Sequence, residues 1–239
     1  MRKHVILLFL VLTIQVSAQE RSVRVGLSSG YDFFCQHKLK SLNKSVIQLM
    51  PFEVNTIDDF KPHFNFNVYT QYMLSEKLYL GPEYAYHYSG SRLGIKDYSG
   101  YFSYDQYLRV HQVGIKFNYK VIPLKRSAIN FEMSTGAGFS NWKTEYYLEI
   151  GENGEYSEEF ENEYKGFSWY IIPAVQYQFH LSSRLSAAWT VSYSFDLMKK
   201  YNIESHIGNK KTYTVDMTPC WSGFNLLLGI GYILPILKR

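Results

Sequence analysis

Cysteine is scarce in this chain: Cys35 and Cys220 are the only two in 239 residues. Neither stands directly after the N-terminal apolar stretch and its small residues, which argues against a lipidated N-terminus. Long apolar runs are equally scarce. The one candidate, residues 5–11 with Leu12 and Ile14, is shorter than the ~20 residues a membrane-spanning helix needs. Charge of a single sign is lacking as well. The formal net charge is +4, and removing the two cations Arg2 and Lys3 leaves +2, a balance that indicates no nucleic-acid partner. The glycine pairs in Gly136-Ala137-Gly138 and Gly229-Ile230-Gly231 precede no helical pattern, so they are not nucleotide fingerprints. They suit the curvature of a sheet instead. No cofactor is indicated.

What the chain does have begins with an address. Arg2 and Lys3, the apolar stretch and the small residues Val16-Ser17-Ala18 form a secretory signal peptide, with cleavage expected after Ala18. Residues 1–18 are then the leader and 19–239 form one domain. Aromatic residues make up 18% of the chain, with 22 Tyr and 16 Phe. Rings that are apolar in body and polar at the tip concentrate at membrane interfaces, so this excess points to a bilayer.

The arrangement of those rings decides the fold class. In residues 166–197, Phe167, Trp169, Ile171, Pro173, Val175, Tyr177 and Phe179 alternate with small or polar residues. After a turn at 181–184 the pattern resumes with Leu185, Ala187, Trp189, Val191, Tyr193, Phe195 and Leu197. Period-two alternation of this length predicts two strands. One face is bulky and apolar while the other is too small and polar to build a core, which suits lipid outside and a polar lumen inside. Similar runs occur at 22–34, 63–73, 78–88, 107–121, 128–147 and 223–234, giving eight in all. Short connections (74–76, 122–126, 181–184) alternate strictly with long ones (35–62, 89–106, 148–164, 202–222). That alternation is required of an antiparallel barrel with short periplasmic turns and long extracellular loops. Pro82 and Pro173 lie inside strands, where each is expected to mark a bulge or a membrane rim.

The expected fold is therefore all-β, an eight-stranded antiparallel transmembrane β-barrel. The leader, the eight runs and the graded loops resemble the small eight-stranded outer-membrane barrels of the OmpA/OmpX type. The tyrosine-rich style resembles the PorT-like barrel proteins of Bacteroidota-type bacteria. The resemblance is architectural and carries no diagnostic motif, and the last strand lacks a terminal Phe. It implies residence in the outer membrane, contact with lipid and lipopolysaccharide, and a monomeric barrel.

Several side chains stand out within this frame. Arg24, Glu83, Lys116, Glu132 and Asp196 fall on the inward face. Pairing the fourth and fifth strands across their short turn sets Lys116 opposite Glu132, an ion pair that neutralises buried charge. Cys35 and Cys220 end neighbouring strands at the extracellular rim, so a disulfide is one reading and two free thiols the other. Glu149, Glu152, Glu155, Glu158, Glu159, Glu161 and Glu163 make 148–164 an acidic loop, either solvated or able to collect Ca²⁺ or Mg²⁺. Leu39, Leu42, Val46 and Leu49 recur at near-helical spacing in the first long loop. They predict a short amphipathic helix at the barrel mouth, against a partner or on the lipid surface. Arg109 and His111 share the outward face near the loop end, where cations could meet lipopolysaccharide phosphates. The expected function is non-enzymatic, a structural or interaction role with an envelope or extracellular protein partner. The alternatives are a lipid-modifying enzyme, for which His111 lacks a neighbouring serine, and a narrow channel.

Overall fold

The computed structural model describes residues 22–98, 100–151, 156–205, 213–214 and 218–235. The expected signal peptide lies outside them, as do Glu152 and Glu155. The described chain runs β1 (Ser22–Phe34), α1 (His37–Leu49), β2 (Asn55–Asp59), β3 (His63–Ser75), β4 (Leu78–Asp97), β5 (Gly100–Pro123), β6 (Ser127–Ile150), β7 (Tyr156–His180), β8 (Leu185–Ser205), β9 (Tyr213–Thr214) and β10 (Gly223–Pro235). All pairings are antiparallel, in the order β10-β1-β3-β4-β5-β6-β7-β8, and β8 pairs back with β10. The sheet is thus a closed ring of eight strands. Closure leaves the ring without a free sheet edge, which lipid demands. β2 adds to β4, and β9 to β8, above the ring. Among the described residues no helix is long and apolar enough to cross a membrane; the crossing is made by strands.

The alternation in the sequence translates directly into the two faces of the wall. Outward residues such as Val113, Ile115, Val175, Val191, Leu226, Leu228 and Ile230 are exposed, whereas Gln112, Lys116, Asn118, Gln176, Thr190, Ser192 and Asn225 are buried. Large apolar side chains outside and amides, hydroxyls and charges inside are the reverse of a water-soluble core.

Two expectations about the connections are corrected. Residues 89–106 and 148–164 are not loops over most of their length, because β4, β5, β6 and β7 continue through them. β6 alone has 24 residues, roughly 80 Å of strand at ~3.4 Å per residue, whereas ~9–11 residues cross a bilayer. More than half of it therefore projects beyond the membrane as part of a β-ribbon. Of the two readings of the prolines, the bulge is likewise not found. Pairing of β3 with β4 lapses between Tyr69–Glu83 and Tyr72–Leu80, across Pro82, and resumes in the same register. Pairing of β7 with β8 lapses likewise across Pro173, between Ile171–Phe195 and Ala174–Ser192. Each missing N–H opens a gap in one ladder, with no bulge at that position.

Candidate functional site

The lumen is assembled by inward positions of every barrel strand. Lys116 Nζ lies 3.1 Å from Glu132 Oε2 and 3.3 Å from Glu83 Oε2, with all three side chains almost fully buried. The register differs from that read in the sequence: Ser134 stands directly opposite Lys116, and Asn118 opposite Glu132. The ion pair is therefore diagonal, and β4 supplies a second carboxylate. Ser134 Oγ donates to Glu83 at 2.9 Å and Asn118 Nδ2 donates to Glu132 at 2.6 Å. The Lys116 ammonium also lies 4.9 Å from the centre of the Tyr69 ring. Below this cluster Asn130 and Asn118 donate to Gln176, and Asn130 to Gln178. Arg24 is buried with its guanidinium 5.4 Å from the Tyr79 ring.

A second buried group was not singled out in the sequence. His87 Nδ1 and Asp32 Oδ2 are 2.6 Å apart, and His87 Nε2 is 3.1 Å from Gln112 Oε1. Asn65 donates to the other oxygen of Asp32. The parity of Asp32 within β1, inward between outward Tyr31 and Phe33, was the available signal. Between the two groups lies a cavity of about 30 Å³ lined by residues including Glu83, His87, Lys116 and Glu132. That is room for water rather than for a permeating solute.

The extracellular mouth is closed by α1. Leu39 is fully buried in an apolar cluster with Phe60, Leu108, Val110, Trp142 and Trp221. Polar bonds fix the helix on the same side: Gln106 Nε2 donates to Asn43 at 2.6 Å, Trp142 Nε1 donates to Gln106 at 3.0 Å, and Asn43 Nδ2 donates to Asp59 at 3.3 Å. Pro51 follows the helix, and Met50 before it is extended (ψ 138°), as a residue preceding proline prefers. Of the sites weighed for the amphipathic helix, the structure selects the mouth.

Cys35 and Cys220 are free thiols in this structure. The register explains why they do not face each other: β1 pairs Phe34 with Gly223, and the Cys35 N–H donates to Ser222 O. Cys220 is two residues further along. Its N–H instead donates to Gln36 Oε1, and its carbonyl accepts from Gln36 Nε2, both at 2.9 Å. Asp196, at the same rim, accepts from the Trp221 N–H.

On the outer wall, His111 Nδ1 is 2.8 Å from Tyr84 Oη. His111 belongs to a track of rings on five adjacent strands, with Phe66 paired to Tyr86, Tyr86 to His111, His111 to Phe139 and Phe139 to Phe167. Arg109 follows on the same face, exposed and in register with Tyr88 and Asn141. Beyond the track the wall turns polar. The expected acidic loop is the edge of the ribbon, and four of its described carboxylates, Glu149, Glu158, Glu161 and Glu163, are engaged. Glu161 and Glu145 flank Lys143 at 2.9 and 2.6 Å, Glu163 accepts from Asn141, and Glu149 accepts from Tyr147. The bonds to Glu145 and Glu161 raise the Lys143 pKa, and the bond to Glu149 raises that of Tyr147. Among the described residues no group of three or more His, Cys, Asp or Glu is placed to hold a metal ion.

No protein-family model and no curated protein matches the chain. Solved outer-membrane proteins do. A major outer membrane protein from Thermus thermophilus is similar at 11% identity and TM-score 0.52, over 89% of this chain and 99% of that one. Ail, the attachment invasion locus protein of Yersinia pestis, is similar at 13% identity and TM-score 0.38, over 91% and 100%. The outer membrane protease OmpT from Escherichia coli is similar at 9% identity and TM-score 0.43, over 91% and 98%. The Thermus thermophilus likeness supports the fold. None of these matches bears on the Bacteroidota-type resemblance. With the closed ring, the apolar outer wall and the polar lumen, the chain is an integral outer-membrane β-barrel.

Proposed function

We propose that this barrel is a closed, non-enzymatic surface protein whose projecting ribbon and capped mouth engage other molecules outside the cell. The observation that carries the reading is the division of labour along the strands. The membrane-embedded part encloses a lumen filled by ion pairs and amides, while β4–β7 continue far beyond the aromatic track. A filled lumen supports a structural wall over a channel, since eight strands leave an interior just wide enough for side chains. His111 faces lipid in a bond to Tyr84, and His87 is held between Asp32 and Gln112. Those partners suit packing rather than nucleophile activation.

Cross-linking in intact membranes followed by co-purification tests the reading, and an extracellular or envelope protein, or lipopolysaccharide, is expected to be captured. Planar-bilayer recordings of the purified protein are expected to show no discrete steps, and lipid A from a deletion strain an unchanged mass profile. Discrete conductance or an altered lipid A would overturn it, as would the absence of both a partner and a surface-binding defect.

A further inference from the structure

A pocket of about 250 Å³ opens on the outer side of the barrel, lined by β2, which extends the sheet beside β4, by the segment after it, and by β4 and β5. Its lower wall is the pair His63 and Tyr88, whose rings meet edge to face at 5.1 Å. Tyr88 lies two residues beyond Tyr86 in the aromatic track, so the pocket begins where the lipid-facing wall ends. A local backbone feature shapes this recess: Phe60 takes a left-handed conformation (φ 49°) and its N–H donates to Gly90 O at 2.9 Å. That link pins the β2 connection above the floor.

The lining is polar and incomplete. The buried His63 Nε2 of this lining has no hydrogen-bond partner, and Asp58 Oδ1 has only the long contact to Lys61. Buried polar groups are nearly always satisfied, so an unanswered imidazole nitrogen beside a loosely paired carboxylate marks a place where something else supplies the bonds. At the opening, Arg92 Nε donates to Asp105 at 2.8 Å, and Tyr107 Oη donates to the same carboxylate at 3.2 Å. Lys61 Nζ is 3.8 Å from Asp58, and both cationic side chains are more than half exposed.

We infer that this pocket binds a saccharide at the level of the outer-leaflet headgroups. Donors and acceptors are interspersed on its wall. Two cations stand beside two carboxylates, with an imidazole and a hydroxyl between them. Hydroxyl groups both donate and accept, so a sugar can answer each of these groups in turn. An anion such as phosphate would meet Asp58 and Asp105, and an acyl chain would leave the His63 nitrogen unpaired. Tyr88 and Tyr107 offer ring faces of the amphipathic kind that suits a sugar's apolar side. A concave site with a few convergent polar groups is the usual form of a small-ligand pocket. The inference rests on the surface-interaction reading and names a ligand class for it.

The test uses mature barrel refolded from urea into detergent, so that no lipopolysaccharide is carried over. Isothermal titration is run with core oligosaccharide released from lipid A, with chitotetraose, and with inorganic phosphate. Saturable binding of either saccharide supports the site. The core arm identifies the membrane's own glycolipid as the source, and the chitotetraose arm a free glycan. Asp58→Ala and His63→Phe are each expected to weaken binding roughly five- to tenfold, about the worth of one or two hydrogen bonds. Lys61→Ala, an exposed change safe for folding, is expected to weaken it by a smaller factor, and Lys143→Ala on the ribbon not at all. Heat-modifiable gel mobility verifies folding of each variant. No saccharide binding up to about 10 mM, a Kd too weak to matter, overturns the inference. So does binding of phosphate alone, or saccharide binding indifferent to Asp58 and His63. A conductance in bilayers would sink the closed-barrel reading while leaving these titrations intact.

Discussion

At the scale of single residues, the charges inside this barrel matter by position rather than by number. Lys116 neutralises two carboxylates at once, and among the described residues no other cation is ion-paired with either of them; Arg24 lies at the Tyr79 ring instead. Lys116→Met therefore leaves Glu83 and Glu132 buried together without a cation. A loss of about 3–5 kcal/mol is expected, the usual cost of removing one partner from a buried pair. Lys116→Met combined with Glu83→Gln and Glu132→Gln is expected to recover much of it, because amides need no counter-charge. Urea titrations in lipid vesicles check both, and equal stability of the single and triple variants would refute the assigned role of Lys116. Gly114 is a second sensitive point. A Cβ there would lie 2.3 Å from Tyr170 Oη and from the Thr135 carbonyl oxygen, so Gly114→Ala is expected to destabilise by more than the few tenths of a kcal/mol typical of surface changes. Parity in the sequence was enough to identify Lys116 and Glu132 as inward. It did not reveal that Glu83 shares the cation, since that depends on how far β4 slides along β5.

At the scale of elements, legibility in the sequence stopped where the lipid stops. Within the bilayer, outward residues must be apolar and the alternation is plain. Beyond it both faces of a strand meet water, so Arg92, Lys143, Glu145 and Glu161 stand where Val or Phe would otherwise mark the outer face. The ribbon therefore reads as loop although it is strand. α1 was legible because its apolar residues recur at near-helical spacing, though the buried stripe is narrower than that spacing implied: Leu39 and Asn43 are its buried positions, and Leu49 is 80% exposed. This docking gives a direct test of where the seal lies. Leu39→Ala removes the central contact of the mouth cluster, worth ~2–5 kcal/mol at a fully buried leucine. Limited trypsin digestion is expected to cut newly at Lys38, Lys40 or Lys44. Bilayer recordings are expected to stay silent, because the lumen beneath is filled independently. A conductance appearing in that variant would place the seal in the helix instead.

At the scale of the whole molecule, the claim that one wall faces lipid and the interior does not can be read from four indoles. Trp169 and Trp189 are 48% and 70% exposed on the outer wall, while Trp142 and Trp221 are 2% and 1% exposed inside the mouth. The alternation that assigned Trp169 and Trp189 to lipid in the sequence is the same signal that set the barrel's register. Trp142 and Trp221 were not assigned, because their burial comes from α1 folding back over the opening. In vesicles of phospholipid brominated on the acyl chains, variants retaining Trp169 or Trp189 alone are expected to be strongly quenched. Trp189 lies shortly after the tight turn that follows His180, whereas Trp169 lies well before that turn on the neighbouring strand, toward the mouth. Their quenching is therefore expected to differ with the bromine position, since the two rings sit at different heights in the bilayer. Variants retaining Trp142 or Trp221 alone are expected to be nearly unaffected by acyl bromines and also shielded from aqueous iodide, because the helix covers them from above. Strong acyl quenching of Trp142 or Trp221 would mean that the mouth cluster lies against lipid, and the assignment of inside and outside would have to be reversed for β6 and for the segment leading into β10.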